Sequence, residues 1–271
     1  MLKEVIYLPS VIIDTHCHGR DMNQSYKTTV KQTLSEARRG LITTSFFMPN
    51  TDPPIINLEV LERYLGIIDS AKKELGMREE QYVYFGATDD NLTDLEEQIW
   101  QSGGFWAIEL NFSCPNTPED IKGNIKGALH CVQKVKVKYP KLILVAKISV
   151  VHPPEFAQQL REVGADVLHA VNTIPYKLLF PDKVSPLHKV GGGGVSGGPA
   201  FEMAFEYNSR VIEFFRGLVI LGCGITDDKK LGRYVDLLNR HGSSEGWAIS
   251  LCTAALRRPE WVKEVINNFN S

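Results

Sequence analysis

Two carboxamides, a hydroxyl and a thiol fall within six residues of this chain, at Asn111, Ser113, Cys114 and Asn116. They follow the apolar run Ala107-Ile108-Glu109-Leu110, and Pro115 keeps that strand from continuing. Amides offer both donors and acceptors, so such a strand end suits a planar, polar molecule with alternating NH and C=O groups. A partly exposed thiol can serve there as a base through its thiolate; a buried one is a small apolar filler. Lys147 ends another apolar run, Val145-Ala146-Lys147-Ile148, and brings a cation to a strand end. Glycines 193, 194 and 197, and later Gly222 and Gly224, leave backbone bare for close approach to a ring or phosphate, and Thr253 adds a hydroxyl. Near the start, His16-x-His18 follows an apolar strand. Alternation puts both imidazoles on one side, where neutral rings could bind a divalent metal, although catalytic zinc needs about three protein ligands.

The elements that must position these residues alternate regularly. Strands are expected at 11–14, 42–48, 82–87, 107–110, 142–148, 167–171, 218–221 and 247–251, each a short run apolar on both faces. Helical spacing is expected over 27–39, along Leu58, Leu61, Leu65 and Ile68, in a short helix capped by Thr93 with Glu96, along Ile121, Ile125, Leu129 and Val132, and over 154–163, 201–215, 228–240 and from 259 onward. A long proline-containing loop is expected between Thr173 and the glycine run. The polar and glycine clusters fall at the C-terminal ends of strands. Eight such units in 271 residues point to an α/β protein built as a single (β/α)8 TIM barrel over 1–271. An open doubly wound sheet would carry its glycine-rich turn after the first strand, which this chain does not.

Composition narrows the partners. The net charge is -2, with 43% hydrophobic and 23% charged residues, so no basic surface for nucleic acid or membrane is expected. No apolar run reaches spanning length, and residues 1–10 lack the core of a signal peptide. Five scattered cysteines fit a reduced, cytoplasmic protein.

From about Gly104 to residue 271 the chain resembles the dihydroorotate dehydrogenase family. ELNFSCPN (109–116), VAKI (145–148), VNT (171–173), GGVSG (193–197), GCGI (222–225) and CTAAL (252–256) carry the likeness, in family order. Residues from about 12 to 97, within a segment 1–97, resemble another family, the dihydroorotases, through IDTHCHGR (13–20), TTSFFMPNTDPP (43–54) and YFGATDDN (84–91). Together the two resemblances imply a chimeric ring, three dihydroorotase-like units followed by five dehydrogenase-like ones.

The first resemblance implies FMN-dependent oxidation of (S)-dihydroorotate to orotate in pyrimidine biosynthesis, with fumarate or NAD as reoxidant. Cys114 would be the general base. Asn111, Lys147, Val171, Gly194, Gly197, Gly222, Gly224, Cys252 and Thr253 would bind FMN. Asn111, Asn116, Asn172 and Thr173 would bind the pyrimidine, with Asn50 joining by position. The family usually has glycine where Ile225 stands, and another residue at Cys252. The second resemblance implies a zinc-dependent cyclic amidohydrolase in which His16 and His18 bind metal and Arg20 and Asn50 hold the substrate carboxylate. A barrel that binds flavin or phosphate without turnover is the third reading. Dihydroorotate and orotate are the partners expected, and a homodimer is compatible with the sequence.

Overall fold

The structure, a computed structural model, describes residues 11–14, 41–45, 83–87, 107–113, 125–188, 192–241 and 246–269. Its strands are β1 (Val11–Asp14), β2 (Leu41–Ser45), β3 (Val83–Ala87), β4 (Ile108–Asn111), β5 (Leu144–Ile148), β6 (Val167–Ala170), β7 (Ile174–Pro175), β8 (Gly194–Val195), β9 (Leu218–Gly222) and β10 (Trp247–Leu251). All but β7 and β8 pair in parallel in the order β1-β10-β9-β6-β5-β4-β3-β2, and β1 also pairs with β2. The described helices are α1 (Ile125–Lys138), α2 (Phe156–Glu162), α3 (Tyr176–Leu179), α4 (Phe201–Val211), α5 (Asp228–His241), α6 (Thr253–Arg257) and α7 (Pro259–Phe269). The chain is therefore α/β, a parallel sheet with helical crossovers. The helices expected before β4 lie outside the described residues.

A parallel sheet covered by helices is buried on both faces, and every residue of β5, β6 and β9 is buried. Alternation sorts them. Leu144, Ala146, Ile148, Leu168, Ala170, Val219, Leu221, Ile249 and Leu251 join the helix residues Val132, Phe156, Ala204 and Leu231 in one large apolar cluster. Their neighbours Ala107, Val145, Val167, Leu218, Ile220 and Ala248 form a second cluster on the opposite, inner face. Two residues further along, that inner face turns polar with Glu109, Lys147, His169 and Ser250, all buried. The expectation of strands apolar on both faces fails there, because the inner face near the strand ends carries polar side chains that pair with one another.

Two other expectations change. The helix expected over 201–215 ends at Val211, where the chain tightens into a turn with Phe214 N–H donating to the Val211 carbonyl at 3.1 Å. The proline-containing loop after Thr173 is partly structured. β7 pairs antiparallel with β8, Ile174 opposite Val195, and α3 leads away from β7. Strands of two residues are too short for any periodicity to reveal.

The turn after β9 is held from behind. Gly222 O accepts from Asn208 Nδ2 at 3.0 Å and from the Tyr234 hydroxyl at 2.8 Å, and Asn208 Nδ2 also donates to the Tyr234 oxygen at 2.8 Å. Burial raises the Tyr234 phenol far above its ordinary range, so it remains a donor at any working pH. The following Cys223 and Gly224 both have positive φ, 73° and 92°, which turns the chain sharply away from the strand end.

Candidate functional site

The focal strand runs one residue further than its apolar pattern indicates. Asn111 belongs to β4 and stands in register with Lys147 of β5, and Phe112 N–H extends the ladder to the Lys147 carbonyl at 3.0 Å. Lys147 is in register with His169 of β6. Pairing of the parallel strands is thus what brings together residues 36 and 22 positions apart in sequence.

Asn111 Oδ1 is the hub of the strand ends. It accepts from Ser113 N–H at 3.1 Å, from Ser113 Oγ at 3.1 Å and from Asn172 Nδ2 at 3.3 Å. Asn172 Nδ2 also lies 3.4 Å from the Ser113 carbonyl. Asn111, Ser113 and Asn172 are all buried. Next to Asn172, the Thr173 carbonyl accepts from Ser149 Oγ at 2.5 Å. Thr173 Oγ1 is enclosed and has no hydrogen-bond partner among the described residues. An enclosed hydroxyl without a partner is a group for which a polar ligand atom would compensate.

Behind this rim a chain of polar side chains crosses the inner face. Lys147 Nζ lies 3.4 Å from Glu109 Oε1. Glu109 Oε2 sits 2.7 Å from His169 Nδ1, and His169 Nε2 sits 3.1 Å from Ser250 Oγ. A neutral imidazole satisfies both contacts if Nδ1–H donates to the carboxylate and Nε2 accepts the serine hydroxyl. The sequence pattern marks Lys147 for the strand ends, but it does not single out Glu109 and Ser250, and it offers His169 only as a nearby histidine. The readable signal is Glu109-x-Asn111, two polar residues at strand alternation inside an otherwise apolar run.

A second convergence lies at the ends of β8, β9 and β10. Ser196 Oγ and Thr253 Oγ1 are 2.8 Å apart. Gly197, at φ 75°, packs on the Thr253 methyl, where an added Cβ would come within 3.0 Å. A Cβ on Gly198 would lie 3.9 Å from Thr226 Oγ1. The Ser196 and Thr253 hydroxyls therefore meet beside bare backbone, while Thr226 Oγ1 donates to Asp227 Oδ2 at 3.2 Å and accepts from Lys230 Nζ at 2.9 Å. Gly194 is exposed on this side, and Cys252 and Thr253 are half-buried. Gly222 and Gly224 also have a packing requirement of their own. A Cβ on Gly222 would overlap Ser250 Oγ and lie 2.7 Å from the Ser250 carbonyl, and one on Gly224 would lie 2.5 Å from Phe201 Cα. Val171 is buried in the large apolar cluster. Cys114, Asn116, Asn50, His16 and His18 lie outside the described residues, and no group of three potential metal ligands occurs among the described residues.

His152, just after β5, is nearly fully buried, stacked on Phe156 with ring centroids 5.0 Å apart. Burial lowers its pKa to about 4, against a smaller opposing effect of the Ser149 backbone. The unfolded chain thus binds a proton that the folded one refuses. Stability is full above the ordinary value of 6.5, falls as pH drops below it, and stops falling near pH 4. By pH 5 the loss is expected to reach about 2 kcal/mol. Urea unfolding at pH 7.5 and pH 5 measures it, and His152→Phe should remove that share of the difference.

No helix among the described residues is long and apolar enough to cross a membrane. No family model matches the chain. It is 45% identical over 67 residues to the dihydroorotase of Thermococcus kodakarensis, a match covering 25% of the chain and 16% of that protein. It is 34% identical over 96 residues to the catalytic subunit of dihydroorotate dehydrogenase B (NAD(+)) of Bacteroides thetaiotaomicron, covering 34% of the chain and 31% of that subunit. The corresponding subunit of Listeria welshimeri is 29% identical over 148 residues, covering 51% of the chain and 47% of the subunit. The chain thus spans less than half the length of each of these relatives. Among solved structures, the apo form of a chain described as a deoxyribose-phosphate aldolase of Toxoplasma gondii ME49 superposes with a TM-score of 0.60 at 11% identity, covering 95% of both chains. At that identity the likeness concerns the fold alone. In sequence, the chain shares partial relationships with two enzymes whose names both contain dihydroorotate chemistry.

Proposed function

We propose that this chain is a dihydroorotate dehydrogenase-type oxidoreductase that binds FMN and oxidises (S)-dihydroorotate to orotate, with fumarate or NAD as the final acceptor. The observation that carries the reading is the meeting of Asn111, Lys147 and Asn172 at the adjoining ends of β4, β5 and β6. The donor set suits FMN: a buried cation, amides and an enclosed unpartnered hydroxyl at one side, and the hydroxyls of Ser196 and Thr253 beside bare backbone at the other. When bound, FMN supplies the two-electron acceptor for hydride leaving C6 of the substrate. The chain's own part is to hold the pyrimidine by Asn111, Asn116 and Asn172 and to take the C5 proton on Cys114 Sγ. Lys147 offers positive charge where electron density rises during the reaction.

In the same reading, residues 1–97 derive from a dihydroorotase-like ancestor and residues 98–271 from a dehydrogenase-like one, so that a single barrel combines three units with five. The two sets of partial relatives support this. Anaerobic titration of the FMN-loaded protein with dihydroorotate is the test. Stoichiometric bleaching of the flavin absorbance is expected, and a protein that takes up no FMN would sink the proposal. The identity to dihydroorotase favours one second reading, a metal-dependent cyclic amidohydrolase using His16 and His18. Stoichiometric zinc that disappears in the His16→Ala, His18→Ala double variant would favour it.

A further inference from the structure

The ammonium of Lys147 already has a carboxylate partner, Glu109. Lys147 is in register with Asn111, whereas Glu109 is in register with Val145, one alternation deeper along the inner face. The two side chains nevertheless meet, with Lys147 Nζ 3.4 Å from Glu109 Oε1, and both are at most 1% exposed. The other carboxylate oxygen is fixed by His169 at 2.7 Å, and His169 is in turn fixed by Ser250 at 3.1 Å. Lysine on its long flexible stem can be re-aimed, while Glu109, His169 and Ser250 are anchored to three strands of the sheet.

We infer that Glu109, oriented by His169, is a positioning residue that sets how much of the Lys147 charge reaches the ligand at the strand ends. The inference rests on the functional reading for the identity of that ligand, but not for the pairing itself. A close ion pair presents a dipole to its surroundings instead of a net charge, so the field at the rim is attenuated. An electron-rich ligand must compete with Glu109 for the ammonium. Glu109 therefore moderates anion binding, and removing its charge unmasks the lysine. This sign is opposite to that of a purely structural role, in which any damage to the buried pair would loosen the rim and weaken binding.

The test uses the FMN-loaded protein, with orotate as the probe, its dissociation constant read from the flavin spectrum and the midpoint potential of the flavin read alongside. Glu109→Gln is expected to bind orotate roughly tenfold more tightly, the scale of one unmasked charge at short range, and to shift the potential in the positive direction. Lys147→Met is expected to weaken binding, and in its background Glu109→Gln should give no gain. Equal or weaker binding by Glu109→Gln, or a gain that persists without Lys147, overturns the inference. Should Glu109→Gln fail to fold, Glu109→Asp keeps the charge but shortens its reach, and the same two comparisons apply. An arm without flavin separates this inference from the functional reading. In apo-protein unfolding, each single variant leaves one buried charge uncompensated, so the double variant should lose far less than the two losses combined. If the wild type takes up no FMN, the functional reading fails, and coupling below roughly tenfold in that cycle overturns the pairing.

Discussion

Gly224→Ala is expected to lower the folding free energy by about 3 kcal/mol or more, the sum of a left-handed backbone cost and overpacking. Gly224 has φ 92°, and a Cβ there would lie 2.5 Å from Phe201 Cα and 2.7 Å from its amide nitrogen. Those atoms are backbone at the start of α4, so no side chain can swing aside. Phe201 cannot retreat cheaply either. Its ring stacks on Phe205 at 5.7 Å and meets Tyr234 edge-on at 5.9 Å, and Tyr234 is tied to the Gly222 carbonyl. The clash would therefore pass into the turn that carries Cys223 and into the end of β9. Gly232 is the internal control. It lies within α5, and a methyl group added there would meet nothing within 4 Å, so Gly232→Ala should raise stability by about 0.5–1 kcal/mol. Urea midpoints of both variants against the wild type decide the matter. A Gly224→Ala midpoint equal to that of the wild type would mean that the turn is not packed against α4 as described.

The strand framework is largely legible because parallel strands buried on both faces advertise themselves as short apolar runs. Expected and observed strands agree at 11–14 and 247–251 and differ by a few residues elsewhere among the described residues. The differences have physical causes. Asn111 falls outside its expected strand because its side chain is polar, yet its backbone belongs to the ladder with Lys147. Asn111, Lys147, Asn172 and Thr173 are legible as a set because their residue types are unusual at the ends of apolar runs. What cannot be read is the register of the parallel sheet. Glu109 and His169 are 60 residues apart, and His169 and Ser250 are 81 apart, so their pairing exists only once the strands are side by side. The glycines after β9 are visible, but their reason is not. Sequence suggests backbone open to a phosphate, and the geometry adds close contact with Ser250 and Phe201. The ribbon of β7 and β8 is hidden because Pro175 and two-residue strands carry no pattern.

Cys114→Ser is expected to slow the reduction of bound FMN by dihydroorotate by about 100-fold or more, the usual contribution of a general base. Serine keeps nearly the same volume and can still accept a hydrogen bond, so flavin uptake and orotate affinity should stay near wild-type values. What it loses is an accessible ionised form, since the thiolate is the proton acceptor and a hydroxyl stays protonated at working pH. Stopped-flow mixing under anaerobic conditions separates the two effects. The wild-type rate should climb with pH as the thiol ionises, while the slow rate of the variant should lack that rise. The neighbouring amides make the distinction sharp. Asn111 accepts three hydrogen bonds at the rim, so altering it would disturb binding and chemistry together, whereas Cys114 is proposed to act on a proton alone. A variant that bleaches at the wild-type rate would move the base elsewhere.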